Sequence, residues 1–284
     1  ERIMVLYGRS SSGDWAGGNI NGDVNAGVNI RLLYARGGNV NGEVNAVVGT
    51  LGHMIVGTSV DANDGSIIGG RINGPVEAGE IGRIFSYGGT APEGQITAKG
   101  DIGYLRVSGR TMAGEVRAGT GEKGYIGRIH AHEGLTGNVT AEKGMGQIYS
   151  GGLLGGDVTV NGGDLGAVRI SNRGAALDGS RIRVNDGDLA SLSVTGSVDN
   201  DSLLDVSGEI GAVAVRGDFT DSSIHAGSLG RVRVLQNISD ADGDDSINAL
   251  DADSWFYIRS ADRFERIGTT NNHLDFDGLD AYVG

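Results

Sequence analysis

The stretch Ile126-Gly127-Arg128-Ile129 recurs along the chain, with an apolar residue at its first and fourth positions and usually a glycine at its second. Counting a degenerate first copy, the copies begin at Ile30, Leu51, Ile81, Ile102, Ile126, Met145, Leu165, Leu189, Ile210 and Leu229. Successive copies start 19 to 30 residues apart, and most intervals are close to 20. Such a period indicates one supersecondary unit that is stacked on itself.

Each copy continues in alternation, as in Leu105-Arg106-Val107, and period-two alternation predicts a short half-buried strand. A second alternating segment precedes the copies, for example Gly114-Glu115-Val116-Arg117-Ala118. Four residues before its valine there is usually another apolar residue, such as Met112. One coil is therefore predicted to carry two strands and a short third apolar contact. Glycine-rich corners join them, because glycine adopts positive φ at the least steric cost.

The composition excludes several classes of protein. Glycine supplies 53 of the 284 residues, but there are only two prolines and no Gly-X-Y repeat, which excludes collagen and a disordered chain. The net charge of −13 disfavours nucleic acid and anionic membranes as partners. No apolar run is long enough to span a bilayer. The absence of cysteine removes disulfides, thiolate metal sites and thiol catalysis.

The two ends of the chain differ in character. The sequence opens with the strand-like Ile3-Met4-Val5 and without a visible signal peptide, so we expect a mature or trimmed polypeptide. Residues 1–236 are predicted to form the solenoid. Residues 237–284 contain six of the fifteen aromatic residues and are predicted to form a small irregular cap over the last coil.

The predicted cap begins with an acidic loop. Oxygen-bearing side chains stand at loop positions 1, 3, 5, 7, 9 and 12, namely Asp240, Asp242, Asp244, Ser246, Asn248 and Asp251. This spacing places oxygens around one hard cation, with the backbone carbonyl of position 7 as a further ligand. Carboxylates packed this closely would repel one another without a cation. The sequence therefore predicts a Ca²⁺ site.

The loop resembles the calcium loop of EF-hands, and its D-x-D-x-D-x-x-I-N-x-x-D form is similar to a dockerin repeat. The resemblance covers about 12 residues and implies calcium binding and a short following helix. It departs from EF-hands at Asp245, where they carry glycine, and at Asp251, where they carry glutamate. Only one complete copy is present. Two partial clusters, Asp275/Asp277/Asp280 and Asp61/Asn63/Asp64, leave open a second calcium or simple acidic turns.

The coils resemble right-handed parallel β-helices, a family that includes pectate lyases, polygalacturonases and bacterial adhesins. This resemblance implies an all-β fold of about ten coils of 19–24 residues, with right-handed winding favoured over the left-handed hexapeptide coil. An enzyme on this scaffold would need converging acid, base or metal groups on neighbouring rungs. The residues before the valines, Asp23 and Glu43 among them, are interpreted as a solvated face, and no catalytic residue is assigned.

We therefore expect a non-enzymatic, secreted or cell-surface structural protein of a bacterium. It would serve as a surface, adhesive or filament subunit, stabilised by calcium. The exposed first strand predicts head-to-tail self-association with another copy. A polysaccharide or a cell surface is the other expected partner. The alternative function is a carbohydrate-active, pectate-lyase-like β-helix enzyme or a glycan-binding module.

Overall fold

The chain is a parallel β-solenoid of about nine turns, which confirms the predicted fold class. The computed structural model describes residues 18–57, 69–120, 122–172 and 175–236 with their side chains, and outside these ranges only the backbone of individual strands. The described residues contain strands and no helix. The chain divides into two compact units, unit 1 (Glu1–Lys143) and unit 2 (Gly144–Gly284).

The strands of unit 1 are β1 (Arg2–Val5), β2 (Gly8–Arg9), β3 (Trp15–Ala16), β4 (Val24–Asn25), β5 (Ile30–Ala35), β6 (Val44–Val56), β7 (Ser59–Val60), β8 (Ile67–Ile68), β9 (Val76–Ser86), β10 (Ile96–Ala98), β11 (Ile102–Val107), β12 (Val116–Ala118), β13 (Tyr125–Ala131), β14 (Gly134–Leu135) and β15 (Val139–Ala141). The strands of unit 2 are β16 (Gly144–Ser150), β17 (Leu153–Leu154), β18 (Val158–Val160), β19 (Leu165–Ile170), β20 (Leu177–Asp178), β21 (Arg181–Val184), β22 (Leu189–Val194), β23 (Val198–Asp199), β24 (Ser202–Val215), β25 (Phe219–Thr220), β26 (Ser222–Val234), β27 (Ile238–Ser239), β28 (Ser246–Ala249), β29 (Trp255–Ser260), β30 (Arg263–Gly268) and β31 (His273–Asp275).

Three parallel ladders run along each unit. Ladder A joins the recurring copies, so that Ile126 lies opposite Ile102 in unit 1 and Leu165 opposite Met145 in unit 2. Ladder B joins the valine segments, as where Val116 pairs with Val139. Ladder C joins the third apolar segment of each coil, which precedes the valine of ladder B by about four residues. It is formed by single bridges in unit 1, at Ile20, Val40, Ile72, Thr90, Met112 and Leu135, and by short strands in unit 2.

The register confirms the predicted coil. Every copy beginning at Ile30 to Ile126 is aligned on its first residue within unit 1, as is every copy from Met145 to Leu229 within unit 2. Positions 1, 4 and 6 of each rung face the interior, and Ile126, Ile129 and Ala131 are all fully buried. The long interval after Val56 contains the antiparallel pair β7 and β8.

Glycine at position 2 of the ladder A rungs has a steric cause. Positions 2 and 3 both face outward, so the alternation is interrupted at the glycine. A Cβ on Gly127 would lie 2.3 Å from the carbonyl oxygen of Gly103, and one on Gly103 would lie 2.6 Å from that of Gly82. Glycine in this column therefore allows the rungs to stack at normal strand spacing. The exceptions are Arg31 in the first rung that begins at Ile30 and Ala190 in unit 2.

Polar side chains at the corners cap the backbone of the following coil. An Asx oxygen accepts a hydrogen bond from a backbone N–H about one turn later, and the acceptor–donor pairs are Asn29–Thr50 (2.8 Å), Asp101–Tyr125 (2.9 Å), Asp164–Asp188 (3.1 Å) and Asp188–Glu209 (2.7 Å). Asp23 accepts in the same way from the N–H of Glu43, at 3.0 Å. These four aspartates thus serve the backbone, since a backbone N–H at a corner needs an acceptor.

Parallel pairing continues past the predicted boundary at residue 236. Ile238 in β27 pairs with Phe219 in ladder C, and Ile247 in β28 pairs with Ile224 in ladder B. Strands β29 and β30 form an antiparallel hairpin, and β31 pairs antiparallel with β28. The helix expected after the calcium loop does not occur among the described residues. The right-handed winding and the irregular cap stay predictions.

Candidate functional site

The outward face of ladder A in unit 1 carries the most unusual group of side chains. Positions 3 and 5 of its rungs are Leu32 and Tyr34, His53 and Ile55, Arg83 and Phe85, Tyr104 and Arg106, and Arg128 and His130. No carboxylate occurs among these ten residues, although the chain contains 36 aspartates and glutamates. Acidic residues are therefore excluded from this face in a strongly acidic protein.

Three consecutive rungs of this face alternate guanidinium groups with aromatic rings. The register places Tyr104 between Arg83 and Arg128 in the position 3 column. It places Arg106 between Phe85 and His130 in the position 5 column. We call these six residues the checkerboard patch. Each arginine in it has rings as its neighbours along both the rung and the column.

Contacts within the patch order its rings. Phe85 and Tyr104 meet edge to face, with ring centroids 5.6 Å apart and planes at 82°. Both rings are half-buried, whereas Arg83, Arg106 and Arg128 are exposed. An edge-to-face pair restricts both side chains and leaves their remaining faces to solvent. The patch is thus a partly apolar sheet surface with three exposed cations on it.

The electrostatics of the patch are positive. The pKa of the His130 imidazole is lowered, first by burial and then by the charges of Arg106, His132 and Arg128. None of the ion pairs found among the described residues involves Arg83, Arg106 or Arg128. These guanidinium groups are available to an external anion. A carboxylate, sulfate or phosphate would each fit, because arginine pairs with all three by two parallel hydrogen bonds.

Three carboxylates of unit 2, Asp178, Asp199 and Asp221, lie close together at the edge of ladder C. Burial raises the pKa of the Asp199 carboxyl, and the nearby charges of Asp178 and Asp221 raise it further. Asp199 Oδ1 has no hydrogen-bond partner among the described residues. Nevertheless, no group of three or more histidine, aspartate or glutamate side chains in the described part of the chain is arranged to hold a metal.

The predicted calcium ligands are not all described. Asp240, Asp242, Asp244 and Asp251 lie outside the described residues, and only the backbone is described for Ser246 and Asn248, which belong to β28. Asn248 pairs with His225 in ladder B and with His273 in β31. The structure therefore does not test the calcium site, which stays a prediction. The partial clusters at residues 61–64 and 275–280 also lie outside the described residues, except for the backbone of Asp275 in β31.

Asp23 and Glu43, interpreted from the sequence as part of a solvated face, both accept hydrogen bonds. Asp23 caps the N–H of Glu43, and Glu43 Oε1 accepts a hydrogen bond from the side-chain amide of Asn45 at 3.2 Å. The rings of His130 and His132 lie 6.4 Å apart.

Within the described residues, no helix is long and apolar enough to cross a membrane.

Sequence reasoning missed the checkerboard patch. The position 3 residues can be read from each copy, but their meaning depends on the position 5 column beside them. Both columns become visible when the recurring copies are aligned on their first residue and positions 3 and 5 are read together.

The geometry defines the chain as a parallel β-solenoid with a carboxylate-free, arginine-rich sheet face. Comparison with protein-family models, with curated proteins and with solved structures finds no match to this chain.

Proposed function

We propose that the chain is a non-enzymatic, extracellular β-solenoid that adheres to an acidic polysaccharide through the checkerboard patch. The observation that carries this proposal is the alternation of guanidinium groups and rings on three consecutive rungs of a face without carboxylates. Arginines pair with carboxylate or sulfate groups, and flat rings pack against the apolar face of a sugar.

The acidic charge of the rest of the molecule would restrict a polyanion to a local contact. The net charge of −13 repels polyanions at long range, and this repulsion is screened beyond about 8 Å at physiological ionic strength. Attraction must therefore come from short-range pairing at a surface such as the patch. A stacked sheet also presents its side chains in fixed columns, with rungs about 4.8 Å apart. Such a surface suits a repeating polymer better than a compact ligand.

The triple variant Arg83→Gln/Arg106→Gln/Arg128→Gln tests the role of the patch. We expect it to lose affinity for carboxymethyl dextran and dextran sulfate by at least about tenfold, because charge-assisted hydrogen bonds contribute roughly 1.5–3 kcal/mol each. Binding is measured by affinity electrophoresis and by biolayer interferometry, with unmodified dextran as the uncharged polymer of the same backbone. Retention of the wild type should fall as salt is raised.

A matched control is available in unit 2. Arg169, Arg231 and Arg233 occupy positions 5, 3 and 5 of their rungs and are exposed. The variant Arg169→Gln/Arg231→Gln/Arg233→Gln removes the same charge and should bind like the wild type. Equal losses in both variants would mean that net charge, and not the patch, controls retention. Release of reducing ends from either polymer would support the enzymatic alternative.

Calcium and self-association form the second part of the proposal. We expect a chelator to lower the melting temperature and to expose residues 237–260 to protease, because calcium bound only to the folded loop stabilises it by about 2.7 kcal/mol at a hundredfold excess over Kd. Asp242→Ala/Asp244→Ala should remove this effect, and Glu93→Ala/Glu115→Ala, at two exposed positions, should keep it.

Sedimentation velocity on the same samples tests calcium-dependent head-to-tail association. A calcium response in the Asp242/Asp244 variant would contradict the assigned ligands.

A further inference from the structure

A polar cavity lies at a corner of unit 1, directly beside the checkerboard patch. It has a volume of about 610 Å³ and is lined by Arg71, Arg110, Tyr87, Ser108 and the amides of Asn39 and Asn73, among others. Tyr87 and Ser108 follow Phe85 and Arg106 by two residues, so the cavity opens where those rungs end. We call it the corner pocket. Its size falls within the range of about 300–1,000 Å³ that small-molecule sites occupy.

We propose that the corner pocket binds one oxyanion, a carboxylate or sulfate group, as an additional site for the acidic polysaccharide. The identity of the polymer rests on the proposed function, but the oxyanion site itself does not. The pocket is lined by two guanidinium groups and by no carboxylate. Two positive charges without a compensating anion favour a negatively charged ligand.

Arg71 gives the most specific indication. Its Nε–H is buried and has no hydrogen-bond partner among the described residues, while its Nη2 donates to the carbonyl oxygen of Thr90 at 3.3 Å. Its backbone N–H donates to Asn39 Oδ1 at 2.8 Å, which fixes the start of the side chain. A buried donor without an acceptor is costly, and an oxyanion in the pocket would supply the acceptor.

The remaining lining residues complete a set of donors. No partner among the described residues accepts from the Tyr87 hydroxyl, the Ser108 hydroxyl or the Arg110 guanidinium. Gly109 adopts a φ of +82°, and a Cβ there would lie 2.6 Å from the carbonyl oxygen of Tyr87. Glycine at this position is therefore required by the backbone of the preceding coil, which forms part of the pocket lining. The donors come from successive coils and line one cavity, where each is available to an oxyanion.

The test titrates the full chain with sodium sulfate, trimannuronate and uncharged maltotriose at constant ionic strength. Isothermal titration calorimetry measures affinity, and the side-chain Nε–Hε resonance of Arg71 reports the site by NMR. We expect sulfate and trimannuronate to shift that resonance and maltotriose to leave it unchanged. If only sulfate or only trimannuronate shifts it, the pocket is assigned to that oxyanion. If none of the three shifts it, the pocket is not an oxyanion site.

Variants separate binding from folding. Arg71→Gln/Arg110→Gln should lose oxyanion binding by at least about tenfold, because two charge-assisted contacts are removed. Since Arg71 also bonds to Thr90, the single variants Arg110→Gln and Tyr87→Phe, which break no hydrogen bond between described residues, should each weaken binding several-fold at an unchanged melting temperature. The control Arg216→Gln/Arg231→Gln removes two exposed charges in unit 2 and should bind normally. Unchanged binding in both single variants would overturn the proposal.

Failure of the pocket and failure of the proposed function give different results. If the pocket is wrong, trimannuronate binding is indifferent to Arg110→Gln, while dextran sulfate retention still depends on the patch arginines. If the adhesive function is wrong, the Arg71 resonance still responds to sulfate, while neither polymer is retained through the patch. Tighter binding of single-stranded oligonucleotides than of either polymer would overturn the assignment to polysaccharide, because stacked bases also pair with rings and arginines.

Discussion

Replacing Ile126 with aspartate is expected to prevent unit 1 from folding, or to lower its melting temperature far below that of the wild type. The Ile126 side chain is fully buried, and its neighbours in ladder A are Ile102 and the interior residues of the same rung. Burying an unpaired carboxylate costs several kcal/mol even when the group becomes protonated. We therefore expect Ile126→Asp to lower the free energy of unfolding by about 4–5 kcal/mol, which is among the largest effects of single substitutions.

The control for this variant is Thr136→Asp, which introduces the same charge at an exposed position of the following corner. Thermal melting is followed by circular dichroism near 218 nm, and urea titration gives the free energy of unfolding. We expect Thr136→Asp to unfold within about 0.5 kcal/mol of the wild type, as surface substitutions usually do. If Ile126→Asp melted like Thr136→Asp, position 1 of the rungs would not face the core and the register of ladder A would be wrong.

The sequence predicts ladder A well because the same physical requirement is repeated in every coil. An interior strand needs apolar residues at positions 1, 4 and 6, and the close approach of successive rungs needs a glycine at position 2. A single copy would be ambiguous, but ten copies at a period near 20 residues are not. Two rungs deviate, with Arg31 and Ala190 at position 2, and both keep the apolar positions and change only the glycine.

Ladder C is predicted less completely because one of its members is polar. Thr90 pairs with Ile72 and Met112 and is fully buried, although the sequence pattern predicts an apolar residue at this position. Its hydroxyl oxygen accepts hydrogen bonds from the N–H groups of Ala113 and Gly114, both at 3.0 Å. These bonds compensate for burial of the hydroxyl. A pattern of apolar residues alone misses a member whose polarity is satisfied locally.

The candidate sites are harder to predict because they depend on corners of variable length. Arg71, Tyr87 and Arg110 are separated by 16 and 23 residues, and no fixed offset relates them to the recurring copies. The corner pocket is lined by corner residues of coils that differ in length, among them Gly69, Gly88 and Gly109. The checkerboard patch is easier to predict from the sequence than the corner pocket, because its residues hold fixed positions in the rungs. Its alternation emerges only when three rungs are compared.

Replacing Gly127 with alanine is expected to destabilise unit 1, although alanine is ordinarily the better residue in a folded chain. The added Cβ would lie 2.3 Å from the carbonyl oxygen of Gly103, which belongs to the neighbouring rung and cannot rotate away. The two rungs would have to separate locally, which weakens several hydrogen bonds of ladder A. Overpacking of this kind costs about 1–3 kcal/mol. Gly127→Val should cost more, despite the high strand propensity of valine.

The matched control is Gly27→Ala, the same substitution in the same unit. A Cβ on Gly27 would meet nothing within 4 Å, and its backbone lies outside the left-handed region. Restricting the unfolded chain should make this variant neutral or more stable by about 0.4–1 kcal/mol. The two substitutions are thus expected to change the free energy of unfolding in opposite directions, measured by urea titration at the same pH. If both variants changed the free energy of unfolding equally, the close approach of the rungs would not require glycine at position 2. Alanine would then be tolerated throughout this column, as it is at Ala190.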